Sequence, residues 1–103
     1  MFSDARHKTD VRSIDDGLDL IGRMRGVRYR WIEGDDRVHV GLLAQEVETA
    51  VPEAVSTDAK TDRKSVAYAN LVGVLVSAVN ELRRETADLR ARLDRWERPD
   101  LEP

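Results

Sequence analysis

The sequence predicts an α+β fold, in which a small globular part with short helices and β-hairpins is followed by a long C-terminal coiled-coil helix. Three observations carry this expectation. Val27–Glu33 and Arg37–Gly41 alternate apolar and polar residues on either side of the turn sequence Gly34-Asp35-Asp36. From Asn70 onward, apolar residues recur every seven positions as far as Trp96. A chain of 103 residues, 36% of them charged, builds one modest core and leaves much of its surface wet, so association would supply the missing burial.

Residues 1 to about 12 read as extended or loop. Ser13, followed by Ile14, Asp15 and Asp16, offers a hydroxyl cap and acids at the positive end of a helix dipole. Ile14, Leu18, Ile21 and Met24 continue a partial helical stripe, which Gly17 weakens and Gly26 stops. In the first hairpin, Val27, Tyr29 and Trp31 alternate with Arg28 and Arg30. Tyr29, Trp31 and Tyr68 are expected in the core, and His39, on the face opposite Val38 and Val40, is expected to be partly exposed. Leu42–Glu48 reads as a short helix with Leu43 and Val47 on one face, and Pro52 ends it. Ala54–Ser56 and Ser65–Tyr68 are expected to pair across a polar loop from Thr57 to Lys64, in which Lys60 and Lys64 are solvated.

The terminal helix has Val72, Val79, Thr86 and Leu93 at heptad position a, and Leu75, Leu82, Leu89 and Trp96 at d. Such a helix is roughly 40 Å long, more than so small a domain covers by itself. Leu71–Val79 is apolar on nearly every side, so this part also packs on the globular body. The expected boundaries are 1–69 for the globular part, 70–98 for the coiled-coil helix and 99–103 for a tail bracketed by Pro99 and Pro103. Branched residues at a with leucine at d favour two parallel strands, whereas Thr86 and Trp96 blur that rule, so the register argues self-association without its count.

Composition excludes several chemistries. The absence of cysteine removes disulfides, thiol catalysis and thiolate zinc sites. His7 and His39 lie far apart with no metal-ligand spacing, so neither metal nor cofactor is expected. No apolar run approaches membrane-spanning length, and the start carries no apolar signal segment. A net charge of −3 argues against nucleic acid as partner, and the cluster Arg23, Arg25, Arg28 and Arg30 reads first as a solvated face.

Only three of the seventeen basic residues are lysines, and one of them, Lys8, stands near Ser3 in the stretch SDARHK. Arginine keeps its proton in proteins, whereas a dehydrated lysine gives it up and is then able to deprotonate a serine hydroxyl. A lysine amine in water holds its proton up to about pH 10.4, so burial or assembly has to strip its hydration before it serves near neutrality. Positions five apart share neither a helix face nor a strand face, so a bend or a partner subunit must bring Ser3 and Lys8 together.

Four blocks in order carry a resemblance. They are Ser3, Asp4, Arg6 and Lys8; then Gly41, Leu42, Ala44, Gln45, Glu46 and Val47; then Pro52, Glu53 and Val55; then Ser65, Val66 and Tyr68, with a long helix after them. This arrangement, which covers nearly the whole chain, resembles the intramolecular chaperone auto-processing domain at the carboxyl end of phage tailspikes, tail fibres and endosialidases, and of some membrane-anchored transcription factors. His7 departs from the leucine usual there. The resemblance implies a homotrimer joined through the C-terminal helix, which assists folding and assembly of an upstream fibre or spike client during virion assembly in the host cytoplasm. It then releases itself by cutting the Phe2–Ser3 bond, as a single-turnover serine autopeptidase with a Ser3–Lys8 dyad. The oxyanion donor is not assigned, Gln45 being one candidate, and Asp4 and Arg6 are expected to pair and order the terminal segment. The chain begins at Met1, so either it is a piece of a longer protein or cutting releases only a dipeptide. Two further readings remain: a non-cleaving oligomerisation module of the same fold, and a small nucleic-acid-binding coiled coil using the arginine cluster.

Overall fold

The computed structural model describes residues 1–97. The fold is α+β with a long terminal helix. A 3₁₀ turn at Ala5–His7 precedes α1 (Gly17–Gly22), and β1 (Val27–Tyr29) pairs antiparallel with β2 (His39–Gly41). Next come α2 (Ala44–Ala50), a 3₁₀ turn at Pro52–Ala54, and the antiparallel pair β3 (Val55–Thr57) and β4 (Lys64–Val66). A last 3₁₀ turn, Tyr68–Asn70, runs straight into α3 (Leu71–Glu97). Arg98 and the expected tail 99–103 lie outside the described residues.

The core is a cluster of Val47, Val51, Ala54, Leu71 and Val74, with Leu20, Ile21, Met24, Leu42 and Val66 packed around it. Val47 is fully buried, as its position on the inner face of α2 predicts. Helix α1 begins later than expected. Ser13 does not cap it; Asp16 holds the cap position and makes no side-chain cap hydrogen bond. The reason is tertiary. Ser77 of α3 donates its hydroxyl to the Ile14 carbonyl, so residues before α1 are strapped to α3 instead of being wound into the helix. Gly17 then enters α1 buried against α3, where a Cβ would lie 2.5 Å from the Ala78 nitrogen and 2.9 Å from the Ser77 carbonyl carbon. The residue that weakens the helix on propensity is therefore the one that lets two backbones touch. At the other end, Arg23 caps the helix, before Gly26 is reached.

The first hairpin is held to the body at two points. Arg25 donates its backbone N–H to Glu46 Oε1 at 3.2 Å, and its guanidinium grips the same carboxylate, the shortest contact being 2.7 Å. The Tyr68 hydroxyl accepts from the Leu42 N–H at 3.0 Å and would stand 2.8 Å from a Cβ on Gly41, so any larger residue there would push the tyrosine ring off this contact. Tyr68 is thus a half-exposed strut at 52% and not a core residue; Trp31, at 51%, is likewise outside the core, because the hairpin projects from the body. Tyr29 is half-buried between Trp31 and His39, with ring centroids 5.2 and 5.5 Å away. His39 is partly exposed, as predicted, and its Nε2 lies 3.0 Å from Asp35 Oδ1. Lys64 differs from expectation. It belongs to β4, directly opposite Thr57, where its half-buried amine donates to Thr57 Oγ1 at 2.9 Å and to Glu48 at 3.2 Å.

Helix α3 divides its apolar residues between two faces. Leu71, Val74 and Ala78 are buried against the body. The heptad residues Val72, Leu75, Val79, Leu82, Leu89, Leu93 and Trp96 face away, with exposures from 49% at Leu75 to 82% at Trp96. No residue of α3 beyond Ala78 is buried among those described. The chain accordingly measures 68 × 41 × 22 Å.

Two outcomes follow for stability. On helix propensity alone, Gly17→Ala would stabilise by about 0.5–1 kcal/mol. The overlap with the Ala78 backbone reverses the sign, and a net loss of roughly 1–3 kcal/mol is expected, read as a lower urea midpoint at fixed protein concentration. The Arg25 guanidinium holds the Glu46 carboxyl below the usual carboxylate range. A depressed folded-state value adds stability that is present above the ordinary glutamate value of about 4.3 and is lost as pH falls through the folded value. Glu46→Gln should therefore lower the urea midpoint at pH 7, and its deficit should shrink below about pH 4.3.

Candidate functional site

The candidate site lies in the first eight residues. Asp4 is extended, with φ −71° and ψ 124°, and its Oδ1 accepts the Arg6 backbone N–H at 2.9 Å, capping the 3₁₀ turn that follows. Two backbone hydrogen bonds of 3.1 Å close the turn, His7 N–H to the Asp4 carbonyl and Lys8 N–H to the Ala5 carbonyl. The Arg6 guanidinium then forks onto the Asp4 carboxylate, with its terminal nitrogen 2.7 Å from Oδ2 and its Nε 3.2 Å from both oxygens. This contact holds the Asp4 carboxyl below its usual range. Asp4 and Arg6 therefore order the terminal segment, as expected of them.

The turn is the bend that the five-residue spacing calls for. A 3₁₀ turn completes one revolution in three residues, and extended residues on either side let the flanking side chains converge. Lys8 Nζ donates to Ser3 Oγ at 2.7 Å. That separation is within the range for proton transfer between a nucleophile and a base. The transfer toward nitrogen requires a neutral amine, a form that dehydration favours. Both residues are exposed in the chain by itself, and Phe2 before them is fully exposed. Past the turn, Asp10 adopts φ 54°, a left-handed conformation that aspartate tolerates better than most residues.

Other residues singled out in the sequence are distributed elsewhere. Gln45 is exposed on the first turn of α2, and Glu46 is occupied by Arg25. The arginine cluster splits, because Arg23 pairs with Asp19 at 2.7 Å and Arg25 with Glu46, whereas Arg28 lies within β1 and Arg30 just beyond it. Sequence reasoning missed Ser77, which ties the segment leading from the Ser3–Lys8 turn to the long helix. A single hydroxyl inside the apolar run Val74–Val79 was the available signal. No described helix is long and apolar enough to cross a membrane.

Comparison with known proteins agrees with this layout. A family model described as "Chaperone of endosialidase" matches residues 3–56, from the Ser3–Lys8 turn through β1, β2 and α2 into β3. The chain is also similar to phage fibre proteins. It is 28% identical over 100 residues to "Long tail fiber protein Gp37" of Salmonella phage S16, a match covering 88% of this chain and 13% of that protein. The proteins of the same name from Enterobacteria phages K3 and T2 are each 30% identical over 98 residues, covering 88% of this chain and 8% and 7% of theirs. The chain thus spans 13% or less of the length of these fibre proteins. With residues 3–56 matched, more than half of its length, the chain belongs to the chaperone of endosialidase family.

Proposed function

We propose that this domain is a fibre-assembly chaperone that trimerises through α3, assists folding of an upstream client segment and then cuts itself free before Ser3. The observation that carries the reading is the 2.7 Å contact between Lys8 Nζ and Ser3 Oγ, made by two residues matching the family pattern. Self-association is supported by the apolar heptad stripe of α3, which the protomer leaves exposed along its length. The likeness to long tail fibre proteins supports a fibre segment as the client.

The residues fit the following chemistry. Assembly covers the terminal turn and removes water from the amine of Lys8, which becomes neutral. Lys8 accepts the Ser3 hydroxyl proton while Oγ bonds to the Phe2 carbonyl carbon. The Phe2–Ser3 carbon–nitrogen bond breaks, and Lys8 returns the proton to the departing nitrogen. An ester now joins Phe2 to Ser3 Oγ. Water opens it, with the neutral amine as base, leaving a carboxylate on Phe2 and a chain that begins at Ser3. The nucleophile has become a chain terminus, so the event happens once. Because both groups are open to water in one copy, cleavage depends on assembly and reports it.

The second reading is a non-cleaving oligomerisation module of the same fold. The observation favouring it is the exposure of Ser3 and Lys8 in the isolated protomer.

Two experiments separate these readings. In a chain carrying an upstream fibre segment, mass spectrometry should find a new amino terminus at Ser3. Ser3→Ala should abolish it, and Lys8→Ala should slow it by about 10²–10⁴-fold, the usual worth of a general base. Sedimentation should find both variants still assembled, and undiminished cutting in either refutes the dyad. Separately, Leu82→Asp combined with Leu89→Asp should leave a monomer that does not cut; a cutting monomer would remove the link between assembly and chemistry.

A further inference from the structure

The arginines around β1 are used unequally. Arg23 and Arg25 are occupied within the fold, whereas Arg28 and Arg30 have no ion-pair partner among the described residues. These two belong to a projecting arm. Strands β1 and β2 are three residues each and pair only with each other. Arg28 and Val40 are cross-strand partners, so a cation and a 76%-exposed apolar side chain share one face. Trp31, Ile32 and Val38 extend the exposed apolar surface of the arm. Beyond its anchorage at Arg25 and at Gly41–Leu42 the hairpin stands alone, and an isolated two-stranded hairpin is marginal in water.

The same chain carries a surface of opposite character. An open groove of about 610 Å³ lies beside the strapped residues 12–16, between α1, the end of α2 and α3. Leu20, Val51 and Val74 contribute its apolar lining. Asp15, Asp16 and Glu53 also line it, and none of them is ion-paired among the described residues. Arg12 is the one base in the lining.

We propose that the β1–β2 arm of one copy docks in this groove on a second copy of the chain. The inference rests on the trimer reading above and adds the surface through which neighbouring copies grip each other outside the helix. Charge complementarity selects the occupant. The unpaired Arg28 and Arg30 meet Asp15, Asp16 and Glu53, while Arg12 meets Glu33 and Asp36 of the turn that ends the arm, which have no ion-pair partner among the described residues. Arm and groove are different surfaces of one protomer, so the contact is heterologous and closes into a ring around the axis of three parallel α3 helices. Each copy gives one arm and receives one. The groove is bounded by the segment that leads back to Ser3 and Lys8, so an occupied groove steadies the chain next to the site of cutting.

Sedimentation equilibrium of the full chain and three charge variants tests this. The arm variant is Arg28→Glu with Arg30→Glu, the groove variant is Asp15→Arg with Glu53→Arg, and the third combines them. At low salt, each reversal should weaken association by about tenfold or more, and the combination should recover most of that loss. In about 1 M salt the differences should fade, since the screening length falls to about 3 Å. Reversals without effect, or a combination no better than its parts, overturn the proposal. Melting of the arm variant in the Leu82→Asp, Leu89→Asp background guards against a folding artefact. That background is a single copy, so the reversal should leave its melting unchanged; a lower melting temperature would mean the arm acts within its own chain and would also overturn the proposal. If the helix variant dissociates while the charge reversals do nothing, the arm contact fails and the trimer reading survives. A wild-type chain that stays monomeric at all concentrations removes both.

Discussion

The fold depends on how α3 is shared. Gly17 lies against the Ser77–Ala78 backbone, and Leu71, Val74 and Ala78 turn inward to the core. In the heptad frame set by Val72, these contacts use positions c, f and g. The a and d positions stay free. The globular part thus grips the helix without covering the stripe that repeats every seven residues. If α1 carried a side chain at position 17, it would ride higher on α3, and both the core and the strap to Ile14 would have to move. The small core and the exposed stripe are two consequences of one division of a helix between the face that packs on its own body and the face left open.

The same helix positions the amino-terminal segment. Its bond from Ser77 to the Ile14 carbonyl joins residues 63 positions apart and fixes the chain shortly after the Ser3–Lys8 turn. That turn needs little support from the body, since the Asp4 cap, the Arg6 fork and two backbone hydrogen bonds all arise within five residues. The pair is assembled locally and tethered globally. In the proposed reaction, this arrangement lets the geometry exist before assembly while the dehydration of the amine waits for it. Such a division separates positioning, which a monomer supplies, from activation, which it does not.

Most residues of the family pattern serve the scaffold. Gly41 and Tyr68, from two separate blocks, meet in the strut to the Leu42 N–H. Glu46 holds Arg25 at the base of the hairpin, and Val47 is the most buried side chain of the core. Ser65 faces Ser56 across the second hairpin, their hydroxyl oxygens 3.1 Å apart. Ser3 and Lys8 stand apart from this scaffold, with Lys8 Nζ donating to Ser3 Oγ at 2.7 Å in the exposed terminal turn. The pattern therefore describes a device for holding two hairpins and a short helix against the start of a long one, with the Ser3–Lys8 turn at its edge.

Features with a short period were legible in the sequence. The alternation around Gly34–Asp36 marked the first hairpin, the apolar faces of Leu42–Val47 marked α2, and the heptads marked α3, because each pattern is set by local backbone geometry. Ser3 and Lys8 were legible as candidates from residue type and from the order of the four blocks. Their 2.7 Å contact came from the turn that Asp4 caps. The late start of α1, the burial of Gly17, the exposed positions of Trp31 and Tyr68 and the half-buried Lys64 were not legible. Trp31 is exposed because its hairpin projects from the body, and each of the others depends on a partner elsewhere in the chain: Ser77 and Ala78 for the segment entering α1, Leu42 for Tyr68, and Glu48 with Thr57 for Lys64. Propensity and periodicity report what a segment favours by itself, whereas burial and strapping are decided by which segments meet, and that is a property of the tertiary structure alone.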